Sequence, residues 1–170
     1  RAGDGASAGG TQASRMTDDL KAAITAHKAD DAIALGDKLA SDYARTPYAA
    51  SAALYLAQMA VEQGTFDDAA KRLQWAIDHG RDANLKELAR LRLAKVLWQL
   101  KKTDEALKLL DGDHGSFDAL YAELRGDIKL SLNDRAGARA DYEQAMVSAD
   151  GAARQLLQRK LDDLADVVKS

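Results

Sequence analysis

Three stretches of this chain repeat one pattern: Gly64-Thr65-Phe66-Asp67-Asp68-Ala69, Lys101-Lys102-Thr103-Asp104-Glu105-Ala106 and Asn133-Asp134-Arg135-Ala136-Gly137-Ala138. Each closes a helical pattern, turns, and opens another with a small residue followed four positions later by a large one. The pairs are Ala69/Leu73, Ala106/Leu110 and Ala138/Tyr142. The alanines are spaced by 37 and then 32 residues, and Ala29-Asp30-Asp31-Ala32 reads as a worn fourth copy, 37 residues upstream of the first. A repeat of that length is one supersecondary unit, which buries its apolar face only by stacking on the next copy. The chain is therefore expected to fold as an array of helical hairpins.

Composition agrees with helix throughout. One proline and few β-branched residues leave long runs of Ala, Leu, Lys, Glu and Asp. There is no cysteine, which removes disulfides, thiolate metal sites and cysteine nucleophiles. The net charge of −3 is spread along the chain rather than blocked, which argues against a nucleic-acid surface. The most apolar stretch, Tyr48 to Val61, is interrupted by Ser51 and Gln58. It falls short of the roughly 20 residues of a membrane span and reads as a buried helix.

The repeat spacings fall on either side of the roughly 34-residue period of tetratricopeptide repeats. The expected fold is all-α: a tetratricopeptide-like, right-handed solenoid of about four helical hairpins plus a C-terminal capping helix. Residues 1–11, rich in Gly, Ala and Ser, are expected to be a flexible linker, and residues 12–170 the repeat domain. Met16, Leu20, Ala23, Ile24 and His27 would share one face of the first helix; the second would end before Pro47. The remaining helices are expected over 48–63, 66–79, 84–100, 103–110, 116–132, 135–148 and 151–168. Gly64, Gly80, Gly112 and Gly115 suit left-handed helix ends, and Asp67, Thr103 and Asp134 suit N-caps. Ala57, Ala94 and Gly126 on the first helices, facing the small residues of the second, would let the two helices of a hairpin approach closely.

Chemistry-bearing constellations are weak. His27, His79 and His114 form no metal-binding pair, and His27 and His79 suit helix C-termini, where the dipole favours them. Asp111-Gly112-Asp113-His114-Gly115 fails the EF-hand pattern, because Ser116 and Ala122 stand where Gly and Glu are required. Arg125-Gly126-Asp127 spells an adhesion tripeptide but belongs within a helix, with Gly126 a packing position. There is no nucleophile elbow, P-loop or dinucleotide fingerprint. The chain is expected not to be an enzyme, and to have no catalytic, cofactor-binding or metal site.

What remains is the inner, concave face formed by the first helix of each hairpin. The repeat register places Leu54, Gln58, Val61 and Glu62 there, then Leu91, Lys95, Trp98 and Gln99, then Glu123, Asp127 and Leu130. Trp98 is either a groove anchor or core packing against the next repeat. Trp75, on a second helix, reads as core. A basic clamp for C-terminal carboxylates would need several Lys, Asn or Arg at these positions, and only Lys95 is present.

Some segments resemble a particular family. They are Tyr48-Ala49-Ala50-Ser51-Ala52-Ala53-Leu54-Tyr55-Leu56-Ala57-Gln58, Leu91-Arg92-Leu93-Ala94-Lys95-Val96 with Gln99-Leu100 and the run from Asp104 to Asp111, and Leu124-Arg125-Gly126-Asp127 with the run from Asn133 to Arg139. In order and spacing they are similar to the YfgM-like proteins, ancillary subunits of the bacterial SecYEG translocon, from about Ser14 to the C-terminus. The resemblance implies a short cytoplasmic segment, a single-pass membrane anchor upstream of this chain, with residues 1–10 as tether, and a periplasmic repeat domain at the inner membrane. It further implies a non-catalytic role beside the SecYEG translocon and a PpiD-like periplasmic chaperone, handling client polypeptides, with no nucleic acid involved. The alternative is a self-assembling or scaffolding repeat protein of an envelope-assembly or cell-division complex.

Overall fold

The repeated turn takes the same backbone form in all four copies. His27, Gly64, Lys101 and Asn133 adopt left-handed φ values of 59°, 77°, 65° and 65°. Each donates its N–H to the carbonyl three residues back, on Ile24, Val61, Trp98 and Leu130, at 3.0–3.1 Å. The next residues, Lys28, Thr65, Lys102 and Asp134, reach five residues back to Ala23, Ala60, Leu97 and Lys129 at 2.8–2.9 Å. This is the Schellman closure of a helix C-terminus. The same four residues are the N-caps of the next helices, and their carbonyls accept from Ala32, Ala69, Ala106 and Ala138 at 3.0–3.1 Å. All four alanines have 0% exposure. The worn first copy is thus a full copy in geometry.

The computed structural model describes residues 2–169, with side chains over 9–165. Among the described residues the fold is all-α. The helices are α1 (Ala2–Thr25), α2 (Ala29–Asp42), α3 (Pro47–Gln63), α4 (Phe66–His79), α5 (Ala83–Gln99), α6 (Thr103–Leu109), α7 (Asp118–Ser131), α8 (Arg135–Met146) and α9 (Gly151–Lys169). A 3-10 turn over Gly115–Phe117 precedes α7. The chain divides into two compact units, one ending at Val96 and one beginning at Leu97, so the break falls inside α5. No helix of the described residues is long and apolar enough to cross a membrane.

In the first unit, α1 pairs with α2 and α3 with α4. Leu20, Leu39, Leu56 and Met59 interlock at the centre, with Ile33, Tyr43 and Trp75 partly buried against them. Gly36 on α2 is required by close approach: a Cβ there would run into the Leu56 side chain. Pro47 sits in the first turn of α3, and Thr46 before it is extended (ψ 153°), as the proline demands.

In the second unit, α7 and α8 form a hairpin closed by α9, whose Leu157 and Leu164 join Ala122, Ala138, Tyr142 and Ala145 in the core. Arg125 of α7, 9% exposed, donates to Asp141 (3.2 Å) and Gln144 (3.2 Å) on α8, and to the Leu110 carbonyl (2.5 Å) at the end of α6. Lys129 Nζ lies 2.8 Å from the other Asp141 oxygen, so that buried carboxylate is shared by two cations. The tripeptide Arg125-Gly126-Asp127 is accordingly a packing element inside α7, with Arg125 and Gly126 buried.

Several local expectations are corrected. The helix α1 extends back to Ala2, through the stretch whose composition suggests a linker; once the amphipathic segment from Ala13 onward nucleates helix, extension is far cheaper than initiation. His27 lies on the left-handed turn, exposed, rather than on the buried face of α1. Gly80 is extended (φ −65°, ψ 145°); its glycine is needed because a Cβ would stand 2.5 Å from the Ala76 carbonyl oxygen. Asp67 and Thr103 lie inside the first helical turns, and only Asp134 caps as expected, accepting from the Gly137 N–H at 2.9 Å. The 111–115 loop satisfies itself: Asp113 accepts from the Gly115 N–H (2.9 Å), and Asp118 from the His114 N–H (2.6 Å).

Candidate interaction cleft

The first unit carries a cleft of about 300 Å³ between α3 and α5, lined by Ser51, Leu54, Tyr55, Gln58, Leu88 and Arg92. It arises because the buried faces of α3 are mostly alanine, with the buried Leu54 beside the exposed Tyr55 and Gln58. Tyr55 is 40% exposed, an apolar ring in water, with the Lys21 ammonium of α1 5.0 Å from its centroid. Arg92 is half-buried on the opposite wall. The cleft is therefore an apolar floor with a cation at each side and no carboxylate in its lining, suited to an inserted side chain rather than to covalent chemistry.

A second, larger groove of about 520 Å³ runs over α3 between α2 and α4. Ala49, Ala53, Leu56 and Trp75 line its apolar part, and Asp37, Asp68, Lys71 and Arg72 supply charge of both signs. Arg72 is already paired with Asp37 at 2.7 Å. Trp75 stacks on His79 (centroids 4.2 Å apart), whose Nδ1 lies 3.0 Å from the Trp75 carbonyl oxygen. The tryptophan expected as core is thus half-buried, and it borders this groove.

The eleven inner-face candidates separate into distinct environments. Leu54 and Gln58 come together in the α3–α5 cleft. Gln58 also donates to Glu62 (3.2 Å), one turn along; Glu62 is exposed and Val61 half-buried. Leu91 is 5% exposed and packs inward, so it offers no surface. Lys95 and Gln99 are exposed, and Trp98 is half-buried in the second unit. Leu130 is 37% exposed.

Glu123 and Asp127 are already engaged within the second unit. Lys160 of α9 reaches the two Asp127 oxygens at 2.9 and 3.1 Å and Glu123 at 3.5 Å, and the Tyr142 hydroxyl donates to Asp127 at 2.6 Å. Burial, followed by the hydrogen bond to Asp127 and the charges of Asp127, Glu123 and Asp141, pushes the Tyr142 hydroxyl well above the ordinary tyrosine range. These two acids fasten α9 to α7.

Sequence reasoning missed Ser51, Tyr55, Leu88 and Arg92. The signal was available in the turn register. Tyr55 lies nine residues before the left-handed Gly64 and Arg92 nine before Lys101, so they are the same position in successive copies. Lys21, Gln58 and Lys95 likewise each lie six residues before a left-handed turn residue.

Comparison with known proteins agrees with this architecture. The profile of the tetratricopeptide repeat-like domain matches residues 5–166. The "Ancillary SecYEG translocon subunit" of Escherichia coli (strain K12) is 39% identical over 79% of this chain and 66% of its own length. The proteins of the same name in Haemophilus influenzae and Neisseria gonorrhoeae are 36% and 35% identical, over 71% and 75% of this chain and 59% and 62% of their own lengths. The chain thus spans about three fifths to two thirds of these relatives. Among solved structures, the crystal structure of MamA protein superposes with a TM-score of 0.66 at 17% identity, covering 94% of this chain and 90% of that one, a likeness of fold alone. The resemblance read from the residues is the one these relatives carry, and the chain belongs to the tetratricopeptide repeat-like family.

Proposed function

We propose that this chain is a non-catalytic protein-interaction domain that works beside the Sec translocon at the periplasmic face of the bacterial inner membrane. In this reading an anchor outside the present sequence holds it there, residues 1–11 form the connection, and a PpiD-like chaperone and emerging client polypeptides are its further partners. The observation that carries the reading is the α3–α5 cleft: an apolar floor with a 40%-exposed Tyr55, on the hairpin scaffold shared with relatives named ancillary SecYEG translocon subunits. Exposed aromatic rings at the mouth of an apolar recess are the usual anchors of protein interfaces. Lys95, Trp98, Gln99 and Leu130 are assigned as further contact residues.

The test is association of the purified chain with detergent-solubilised SecYEG and with the periplasmic region of the chaperone. A photo-reactive residue placed at Gln58 is expected to crosslink to one of them, and Tyr55→Ala to weaken the complex about tenfold or more, the loss expected for an aromatic anchor. Failure to associate with either, at concentrations where the chain is folded and monomeric, would refute the reading. A tight self-associated dimer that buries Tyr55 would favour self-assembly instead.

A further inference from the structure

The α3–α5 cleft is bordered by cations that the protein itself leaves uncompensated. Among the described residues Lys21, Arg92 and Lys95 take part in none of the ion pairs, while Arg72, Arg90, Arg125, Lys129 and Lys160 each have a carboxylate partner. Most of the described lysines and arginines are likewise outside any ion pair, so what sets these three apart is their place beside a cleft with no carboxylate in its lining. Arg92 is half-buried in the cleft wall and is in no ion pair. Lys21 is held over the Tyr55 ring at 5.0 Å, and Lys95 follows Arg92 by three residues, on the same side of α5. Of the nearby acids on α1 and α3, Asp18 is exposed almost a turn before Lys21, and Glu62 accepts from Gln58. Neither lines the cleft.

Resting on the interaction role proposed above, we propose that this cleft selects acidic polypeptide segments in which a carboxylate lies next to an apolar side chain. The apolar group would enter between Leu54, Tyr55 and Leu88. The carboxylate would accept from the Arg92 guanidinium, whose fork of donors matches its two oxygens. Lys21 and Lys95 add longer-range attraction, which speeds encounter and fades with salt. Charge complementarity supplies the class of partner: a basic segment would meet three like charges and no carboxylate in the lining.

Fluorescence anisotropy with a labelled peptide of repeated Leu-Glu units, and with its Leu-Lys counterpart, tests this. The Leu-Glu peptide is expected to bind, and more weakly as salt is raised. Arg92→Gln should weaken it about threefold to tenfold, the range for one charge-assisted contact at a partly exposed site. Arg92→Lys should recover part of the loss, and Lys108→Gln, an exposed charge in the second unit, should change nothing. Helicity by circular dichroism confirms that each variant is folded. Equal binding of the Leu-Lys peptide, no binding of the Leu-Glu peptide, or an Arg92→Gln variant that binds unchanged would overturn the proposal. A SecYEG complex that depends on Tyr55 while the Leu-Glu peptide fails would sink the acidic preference and leave the interaction role standing. The reverse pattern would do the opposite.

Discussion

Gly126→Ala is the sharpest test of how the second unit is packed, because two opposed effects of comparable size meet at one atom. Glycine inside a helix is a handicap, and replacing it with alanine in the middle of α7 should by propensity alone stabilise by about 1 kcal/mol. Yet a Cβ at this position would lie 2.5, 2.7 and 3.0 Å from three carbons of the Tyr142 ring. Ordinary contact begins near 3.4 Å, so the ring or the helix must move by most of an ångström. The ring has nowhere to go. Tyr142 is 1% exposed, its hydroxyl is tied to Asp127 at 2.6 Å, and Asp127 is held by Lys160 at 2.9 Å. Overpacking of a closed core costs about 1–3 kcal/mol, and the pinned ring puts this site in the upper half of that range. The net expectation is destabilisation by about 1–2 kcal/mol.

Urea unfolding followed by Trp98 fluorescence in a Trp75→Phe background reads the second unit, since the chain has only these two tryptophans. Tyr142→Leu should relieve the clash, so that Gly126→Ala becomes neutral or stabilising in that background, a coupling that double-mutant analysis isolates. If Gly126→Ala raises stability by about 1 kcal/mol in the native background, propensity has won. The close approach of α7 and α8 is then not what selects glycine.

Three further outcomes follow from the turns and the buried tyrosine. Lys101→Gly and Asn133→Gly remove a side chain from a left-handed residue and should each stabilise by about 0.5–1 kcal/mol, whereas Gly64→Ala should cost about 1 kcal/mol, all read by thermal unfolding. Asp134→Ala removes the side-chain bond to the Gly137 N–H and should cost about 1 kcal/mol, with Asp134→Asn retaining most of it in the same measurement. The raised Tyr142 hydroxyl favours the protonated form in the folded state, so its contribution is complete below the ordinary tyrosine value near 10 and is lost as pH climbs above it. Stability of the second unit should therefore fall with alkaline pH. The fall should be shallower in Tyr142→Phe, and equal slopes in the two proteins would refute the assignment.

The fold was legible in the sequence because it is set by local rules that leave marks. The left-handed closure favours a residue free to take positive φ, the following cap begins a new helix, and the alanine four residues on admits the neighbouring helix; each left a symbol at a fixed offset. Where the mark is degenerate, the copy was still legible but its left-handed residue was not. His27 and Lys101 take the left-handed turn without being glycine or asparagine, because the two hydrogen bonds of the closure, rather than the residue's own preference, impose the conformation. Gly80 reads as the same signal but serves steric approach to the Ala76 carbonyl.

The cleft was legible only in part, and for a different physical reason. Repeat periodicity names a helix face, but a face becomes a surface only where no other element covers it. Glu123 and Asp127 carry the right register, and nothing in that register announces that Lys160, 33 residues beyond Asp127, will bind them both. Leu91 fails similarly, its burial being decided by packing rather than by spacing. Tyr55 and Arg92 show the converse. They share one offset from the left-handed residue, nine positions before Gly64 and Lys101, and both line the cleft. In this array the closing turn and the buried alanine five positions on keep their offset in all four copies, at His27/Ala32, Gly64/Ala69, Lys101/Ala106 and Asn133/Ala138. Turn and alanine together therefore give one origin from which to count toward a binding surface, and the covering elements decide which of the counted positions stay open.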